Sequence, residues 1–268
     1  MENGKHFPMK ISKTNGAGSS LAVRVNMRLS NEKPRTAIGF LIELRPVTRT
    51  KALLLDFDGL ILDTETSEFR VWQAIYREYG QEMLAETWGQ VVGGYGISNF
   101  DGAVHLAELL GNGINAEALH ARYRSESDAL IAEQPILPGV VDYLDEAQRL
   151  GLGLAVASSS PHKWVDAHLT RLGLFDCFQH IICADDVPPG RTKPHPDLLL
   201  KALTVLGIQP DEAIVLEDSP NGILAAKRAG IFVVSIPNPI TALLKLDGAD
   251  LHLSSMADMP LQELLDYR

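Results

Sequence analysis

From Lys51 onward the chain alternates short, continuous apolar runs with longer amphipathic ones. Runs at Ala52 to Asp56, Leu152 to Ser158, His180 to Ala184, Ala213 to Leu216 and Phe232 to Ile236, with a weaker one near Leu251, end in turn residues and predict buried strands. Between them, residues 163–172, 197–206 and 221–229 space their apolar side chains by three and four, the helical period. Repetition of strand, helix, strand predicts a parallel sheet covered on both faces, a Rossmann-like doubly wound α/β core. Helix punctuation agrees with this. "SSSPHKWV" offers Ser160 as an N-cap with Pro161 in the first turn, and "DSPNGILAAKRAG" offers Ser219, Pro220 and a terminating Gly230.

Two intervals depart from the alternation. Residues 66–135 contain no strand pattern and read as helices, with Phe69, Trp72, Ile75, Tyr76 and Tyr79 forming one apolar face. A small bundle packing its own core accounts for those aromatics. The interval leaves the sheet after the first strand and returns at "QPILPGV", so it is expected to lie over the C-terminal strand ends, where open α/β sheets bind ligands. The expected organisation is a core of residues 51–64 and 136–268 with a helical cap at residues 65–135. Residues 1–50 are of another kind, a disordered or leader-like extension rich in Ser, Asn, Gly and Arg, without a sustained period.

Charge sharpens that division. The first fifty residues hold 9 Lys and Arg against 3 Asp and Glu, whereas the rest hold 15 against 31, giving the whole chain a formal charge of −10. The acidic balance excludes a nucleic-acid partner that would need a basic face. No apolar stretch approaches the roughly 18 to 20 residues of a membrane span, so no membrane partner is expected. The two cysteines, Cys177 and Cys183, fit no zinc spacing and suit a reducing compartment. The expected location is cytoplasmic, or organellar if residues 1–50 form a transit leader. A monomer or weak dimer is expected.

Candidate chemistry gathers at the strand ends. "LLLDFDGLILDTET", residues 53–66, runs a buried strand straight into Asp56 and Asp58, with Asp63 and Glu65 close behind. In extended chain, residues two apart point the same way, so both carboxylates can face one ligand while Phe57 turns into the core. Gly59 then permits a tight turn beside a bound anion. The second strand delivers Ser158, the loop after the third Lys193, and the fourth Glu217 and Asp218. Carboxylates gathered this closely repel by roughly 4 kcal/mol per pair at an effective dielectric near 20, which calls for a cation beyond a single lysine. Magnesium fits, because it prefers a few hard oxygen ligands together with water and a substrate phosphate. Two carboxylates with separate tasks follow, one nucleophilic and metal-bound, the other carrying a proton. His162, His168, His180 and His195 read as surface or packing residues, since magnesium prefers oxygen.

In this order "DFDGLILDTE", "VASSS", "TKPHPD" and "LEDSPNG" resemble the four motifs of the haloacid dehalogenase superfamily, over about residues 51–268. The chain looks most like its branch with a helical cap after the first motif, which includes β-phosphoglucomutase and sugar-phosphate phosphatases. The resemblance implies that Asp56 attacks phosphorus and becomes an aspartyl phosphate, and that Asp58 serves as acid and base. It also implies that Ser158, Ser159 and Lys193 hold phosphate oxygens. Asp56, Asp218 and the backbone carbonyl of Asp58 would hold Mg²⁺, with Glu217 binding directly or through water. Dehalogenases of the superfamily lack an aspartate at the position of Asp58, which excludes that activity. Mutases of the branch carry a histidine where Glu68 aligns and an arginine near Asn99. Both are absent here, so a magnesium-dependent phosphatase acting on a small phosphorylated metabolite, with a sugar phosphate as candidate, is expected ahead of a phosphomutase or a non-catalytic binding protein. The glycine-rich stretch "VVGGYGISN", residues 91–99, reads either as a mobile turn at the site or as an ordinary helix connection.

Overall fold

Strand β1 (Ala52–Leu55) is buried along its whole length, and its side chains divide between two cores. Leu53 and Leu55 join one apolar cluster, and Leu54 joins another on the opposite face of the sheet. This explains why the strand reads as a continuous apolar run, since neither face meets water. The structure is a computed structural model and describes residues 50–88, 100–111 and 113–268. The expected N-terminal extension, apart from Thr50, and the 91–99 loop lie outside the described residues.

Six strands among these residues form one parallel sheet in the order β3-β2-β1-β4-β5-β6. The others are β2 (Gly153–Ala157), β3 (His180–Ile182), β4 (Ala213–Glu217), β5 (Phe232–Ser235) and β6 (Leu251–His252). All six expected strands are present, each within two residues of its predicted ends.

Helices α1 (Thr64–Glu78), α2 (Ala85–Trp88), α3 (Gly102–Leu109) and α4 (Ala116–Ala132) fall between β1 and β2. They bury a separate apolar cluster that includes Phe69, Trp72, Ile75, Tyr76, Leu106 and Leu119. Tyr79, expected on the same face, is instead exposed, because it is the C-cap of α1 where the helix ends. One core face is covered by α5 (Val140–Leu150), α6 (His162–Leu172) and α9 (Leu261–Tyr267), and the other by α7 (Asp197–Leu206) and α8 (Pro220–Ala229). Among the described residues no helix is long and apolar enough to cross a membrane.

Capping explains the helix starts nearest the strand ends. Asp63 accepts from Thr66 N at 3.0 Å and starts α1, while Ser219 accepts from Gly222 N at 3.1 Å and starts α8 with Pro220 in its first turn. The expected Ser160 cap is not formed. Pro161 occupies the N-cap position of α6, and the Ser160 hydroxyl is bonded elsewhere.

Candidate active site

Leu55 of β1 pairs with Val156 of β2 and with Leu216 of β4, so the three central strands end level with one another. The residues that follow, Asp56, Ser158 and the Glu217–Asp218 pair, therefore reach one rim, as the spacing predicts. Lys193 joins them from the loop before α7. Its side chain is 2% exposed, and its ammonium donates to Asp56 Oδ1 at 2.5 Å and Glu217 Oε2 at 2.9 Å.

Three carboxylates share this pocket with one lysine. An oxygen from each of Asp56, Glu217 and Asp218 lies within 4.8 Å of the others, and all three residues are buried. Burial, followed by the charge of Asp56, pushes the Glu217 carboxyl up to about 7. Burial also raises Asp218 well above the ordinary carboxylate range, with Glu217 and Asp56 adding to it. Desolvation works against the Lys193 charge, but Asp56 and Glu217 outweigh it and hold the ammonium above its usual range.

The carboxylates differ in what they leave open. Glu217 has both oxygens engaged, Oε2 by Lys193 and Oε1 by the Ser219 hydroxyl at 2.6 Å. Asp218 Oδ2 accepts from Asn238 Nδ2 at 2.8 Å, whereas Asp218 Oδ1 is buried with no hydrogen-bond partner. Such an orphaned oxygen beside a second carboxylate suits a hard divalent cation. Two glycines make the arrangement possible. A Cβ at Gly59, where φ is +81°, would stand 2.2 Å from Asp218 Oδ2, and one at Gly222 would stand 1.8 Å from Glu217 Oε1. Gly59 thus packs against the Asp218 carboxylate and is not among the residues that line the cavity beside Asp56 and Lys193.

Asp58 is held quite differently. Its Oδ1 accepts from the Trp164 indole N–H at 2.8 Å, and its Oδ2 from the Ser160 hydroxyl at 2.6 Å, with the Ser158 hydroxyl at 3.4 Å. Ser159 is buried beside them and is among the residues lining the cavity, and its buried hydroxyl has no hydrogen-bond partner. The sequence reading missed Ser160, Trp164 and Asn238 as site residues. The strand-end rule that found Asp56 would have flagged Asn238, which follows β5 by three residues. Trp164 carried no such signal.

Among the described residues the carboxylate cluster contains no histidine. His162 bridges Asp166 and Asp186, His168 packs its ring against Trp164 and Phe57, His180 lies on β3, and His195 sits beside Arg191. Both cysteines are free thiols.

Asp56, Asp58, Ser158, Ser159 and Lys193 open onto a cavity of about 610 Å³ whose opposite wall comes from α1, α3 and α4 and the segment that leads into α3.

A family model described as haloacid dehalogenase-like hydrolase matches residues 50–230. YhcW of Bacillus subtilis, a protein named as a phosphatase, is 44% identical over 218 residues, covering 81% of this chain and 97% of that protein. A phosphorylated carbohydrates phosphatase of Thermotoga maritima is 30% identical over 184 residues, covering 68% of this chain and 82% of its own length. Among solved structures, CbbY from Rhodobacter sphaeroides in complex with phosphate is 29% identical with a TM-score of 0.59, covering 78% of this chain and 96% of that one.

Proposed function

The chain belongs to the haloacid dehalogenase-like hydrolases, and from that premise we propose that it is a magnesium-dependent phosphatase of small phosphorylated metabolites, sugar phosphates among them. The observation that carries this reading is the buried Lys193 ammonium bridging Asp56 and Glu217, next to an Asp218 oxygen that has no partner. In this assignment residues 65–135 act as a cap over a core of residues 51–64 and 136–268. Names of relatives support a phosphomonoester substrate and, in the Thermotoga protein, a carbohydrate one.

The residues divide the work as follows. Asp56 attacks phosphorus, its new O–P bond forming as the bond to the leaving oxygen breaks, and Asp58 gives that oxygen its proton. Asp58 then takes a proton from water as the water oxygen attacks the aspartyl phosphate, releasing phosphate and restoring Asp56. Lys193 and the hydroxyls of Ser158 and Ser159 hold the non-bridging oxygens, while Glu217 keeps the Lys193 ammonium in place. Asp56, Asp218 and the backbone carbonyl of Asp58 would hold a magnesium ion, whose charge neutralises the phosphoryl oxygens during transfer.

Trp164 gives Asp58 a defined polarity. An indole N–H only donates, so Oδ1 stays an acceptor and the mobile proton belongs on Oδ2. There the Ser160 hydroxyl can either donate to the carboxylate or accept from the acid. The test is release of inorganic phosphate from a panel of sugar monophosphates. Release that needs magnesium supports the reading; isomer exchange without net release, or full activity in a chelator, overturns it.

A further inference from the structure

Asp58 is held by two residues that flank the start of α6, Ser160 before it and Trp164 within its first turn. Ser160 stands where a capping serine would, with Pro161 next, and the N–H such a cap takes includes that of His162. Its hydroxyl goes to Asp58 Oδ2 instead. The His162 N–H is satisfied from another part of the chain. Asp185, in the turn Ala184–Asp186 that follows β3, accepts from it through Oδ2 at 2.7 Å. A carboxylate there also suits the positive end of a helix.

Further contacts lock that turn against the start of α6. Ala184 N donates to Ser160 O at 3.0 Å, on the same residue whose hydroxyl holds Asp58. The His162 ring meets Asp186 through Nε2 at 2.8 Å and Asp166, on α6 itself, through Nδ1 at 3.2 Å. An imidazole whose two nitrogens both meet carboxylates donates from both, as the charged form. Burial works against that charge, but the bonds to Asp186 and Asp166 outweigh it and hold His162 above its usual range. Asp186 is steadied in turn by Cys183 N at 3.0 Å and Lys201 Nζ at 2.9 Å. Asp185 itself is exposed and is not among the residues that line the cavity, so its effect on the reaction passes through the residues it holds.

We infer that Asp185 is a positioning residue for the proton transfers at Asp58: by capping α6 from the neighbouring turn, it releases the Ser160 hydroxyl to the Asp58 carboxylate. This rests on the phosphatase reading and adds to it a residue outside the cavity. His162 and Asp186 hold the turn that presents Asp185. Without the Asp185 carboxylate, the Ser160 hydroxyl is drawn back to the bare His162 N–H. Asp58 then keeps only the Trp164 indole and the longer contact from Ser158.

The experiment measures kcat/KM of the full chain with magnesium for Asp185→Ala, Asp185→Asn, Ser160→Ala and the combination of Asp185→Ala with Ser160→Ala. Substrates are p-nitrophenyl phosphate, whose leaving oxygen departs without a proton, and a set of alkyl and sugar monophosphates, whose alkoxides need one. Asp185→Ala should lose about tenfold on the alkyl and sugar esters, part of the roughly 10²–10⁴-fold that a positioned acid supplies, and stay close to wild type on p-nitrophenyl phosphate. Asp185→Asn keeps a side-chain oxygen for the His162 N–H and should restore most of that loss. Because the effect runs through Ser160, the combined variant should be no slower than Ser160→Ala alone. Wild-type activity in Asp185→Ala or in Ser160→Ala overturns the inference, as do losses that multiply in the combined variant. Equal loss on both kinds of ester, an Asp185→Asn no better than Asp185→Ala, or an Asp185→Ala chain that does not fold assigns Asp185 to the fold in general and overturns it too. A wild-type protein that takes p-nitrophenyl phosphate but no alkyl ester removes Asp58 as the acid, and the inference with it. Failure on every phosphomonoester overturns the phosphatase reading itself.

Discussion

Gly59→Ala perturbs the proposed ion-binding carboxylate without touching its chemistry. The added Cβ would stand 2.2 Å from Asp218 Oδ2 and 2.6 Å from Asn238 Nδ2, so the Asp218 carboxylate and the amide that holds it must both retreat. Holding an L side chain at φ +81° costs about 1–2 kcal/mol. Overpacking a tight site adds about 1–3 kcal/mol. At about 2–4 °C per kcal/mol for a domain of this size, the melting temperature should fall by roughly 4–20 °C. A carboxylate displaced by about an ångström should lower kcat/KM by about 10²-fold.

Gly80→Ala separates the two contributions. Gly80 has φ +69° with nothing within 4 Å of its hypothetical Cβ, so it carries the backbone cost alone. It should lower the melting temperature by roughly 2–8 °C and leave kcat/KM at the wild-type value. Thermal melts and steady-state kinetics on both variants, across a magnesium titration, provide the comparison. Gly59→Ala with wild-type kcat/KM and an unchanged magnesium requirement would refute the placement of Asp218 as an ion ligand.

Other variants and conditions probe separate parts of the site. Asp56→Asn should abolish turnover with the far-ultraviolet circular dichroism spectrum unchanged; a variant that still releases phosphate removes Asp56 as the nucleophile. Trp164→Phe removes only the donor to Asp58 Oδ1 and should lower kcat by about tenfold to hundredfold with KM near wild type. Raised KM at unchanged kcat would instead assign Trp164 to substrate binding. Glu217 is pushed up to about 7 in the fold by burial and then by Asp56, against an ordinary value of 4.5. It holds its proton more tightly folded than unfolded, so the stability it contributes is present below its ordinary value and is lost as pH rises through about 7. Thermal melts in a chelator should therefore show lower stability at about pH 8 than at about pH 5, and magnesium should reduce that difference. Stability that climbs over this range without magnesium contradicts the buried acid cluster.

Much of this site was legible because strand ends in a parallel sheet are tied to local apolar runs. Once Ala52–Leu55, Gly153–Ala157 and Ala213–Glu217 are recognised as strands, the polar residues just beyond them must meet along one edge. Lys193 was found through its motif, but the sequence did not indicate that it would join Asp56 to Glu217. Ser160 went astray because a serine before a proline at a helix start is chemically a good cap. Its alternative partner, Asp58, is 102 positions away in the chain. Trp164 was hidden for the same reason, since helical periodicity speaks only to which face is apolar and not to where an indole N–H is satisfied. That Glu65 and Glu68 of α1 line the same cavity as Asp128 of α4 depends on how the two helices pack together, which spacing along either helix does not determine.

The central claim is that Asp56 receives the phosphoryl group while Asp56 and Asp218 share a divalent ion. A crystal structure of the protein grown with magnesium and beryllium fluoride, a stable mimic of a phosphoryl group on a carboxylate, tests it most directly. The expected result is a fluoride adduct on the Asp56 carboxylate with Lys193 and Ser158 against it, and one magnesium ion touching both Asp56 and Asp218. An adduct on another residue, or magnesium bound to carboxylates other than these two, would contradict it.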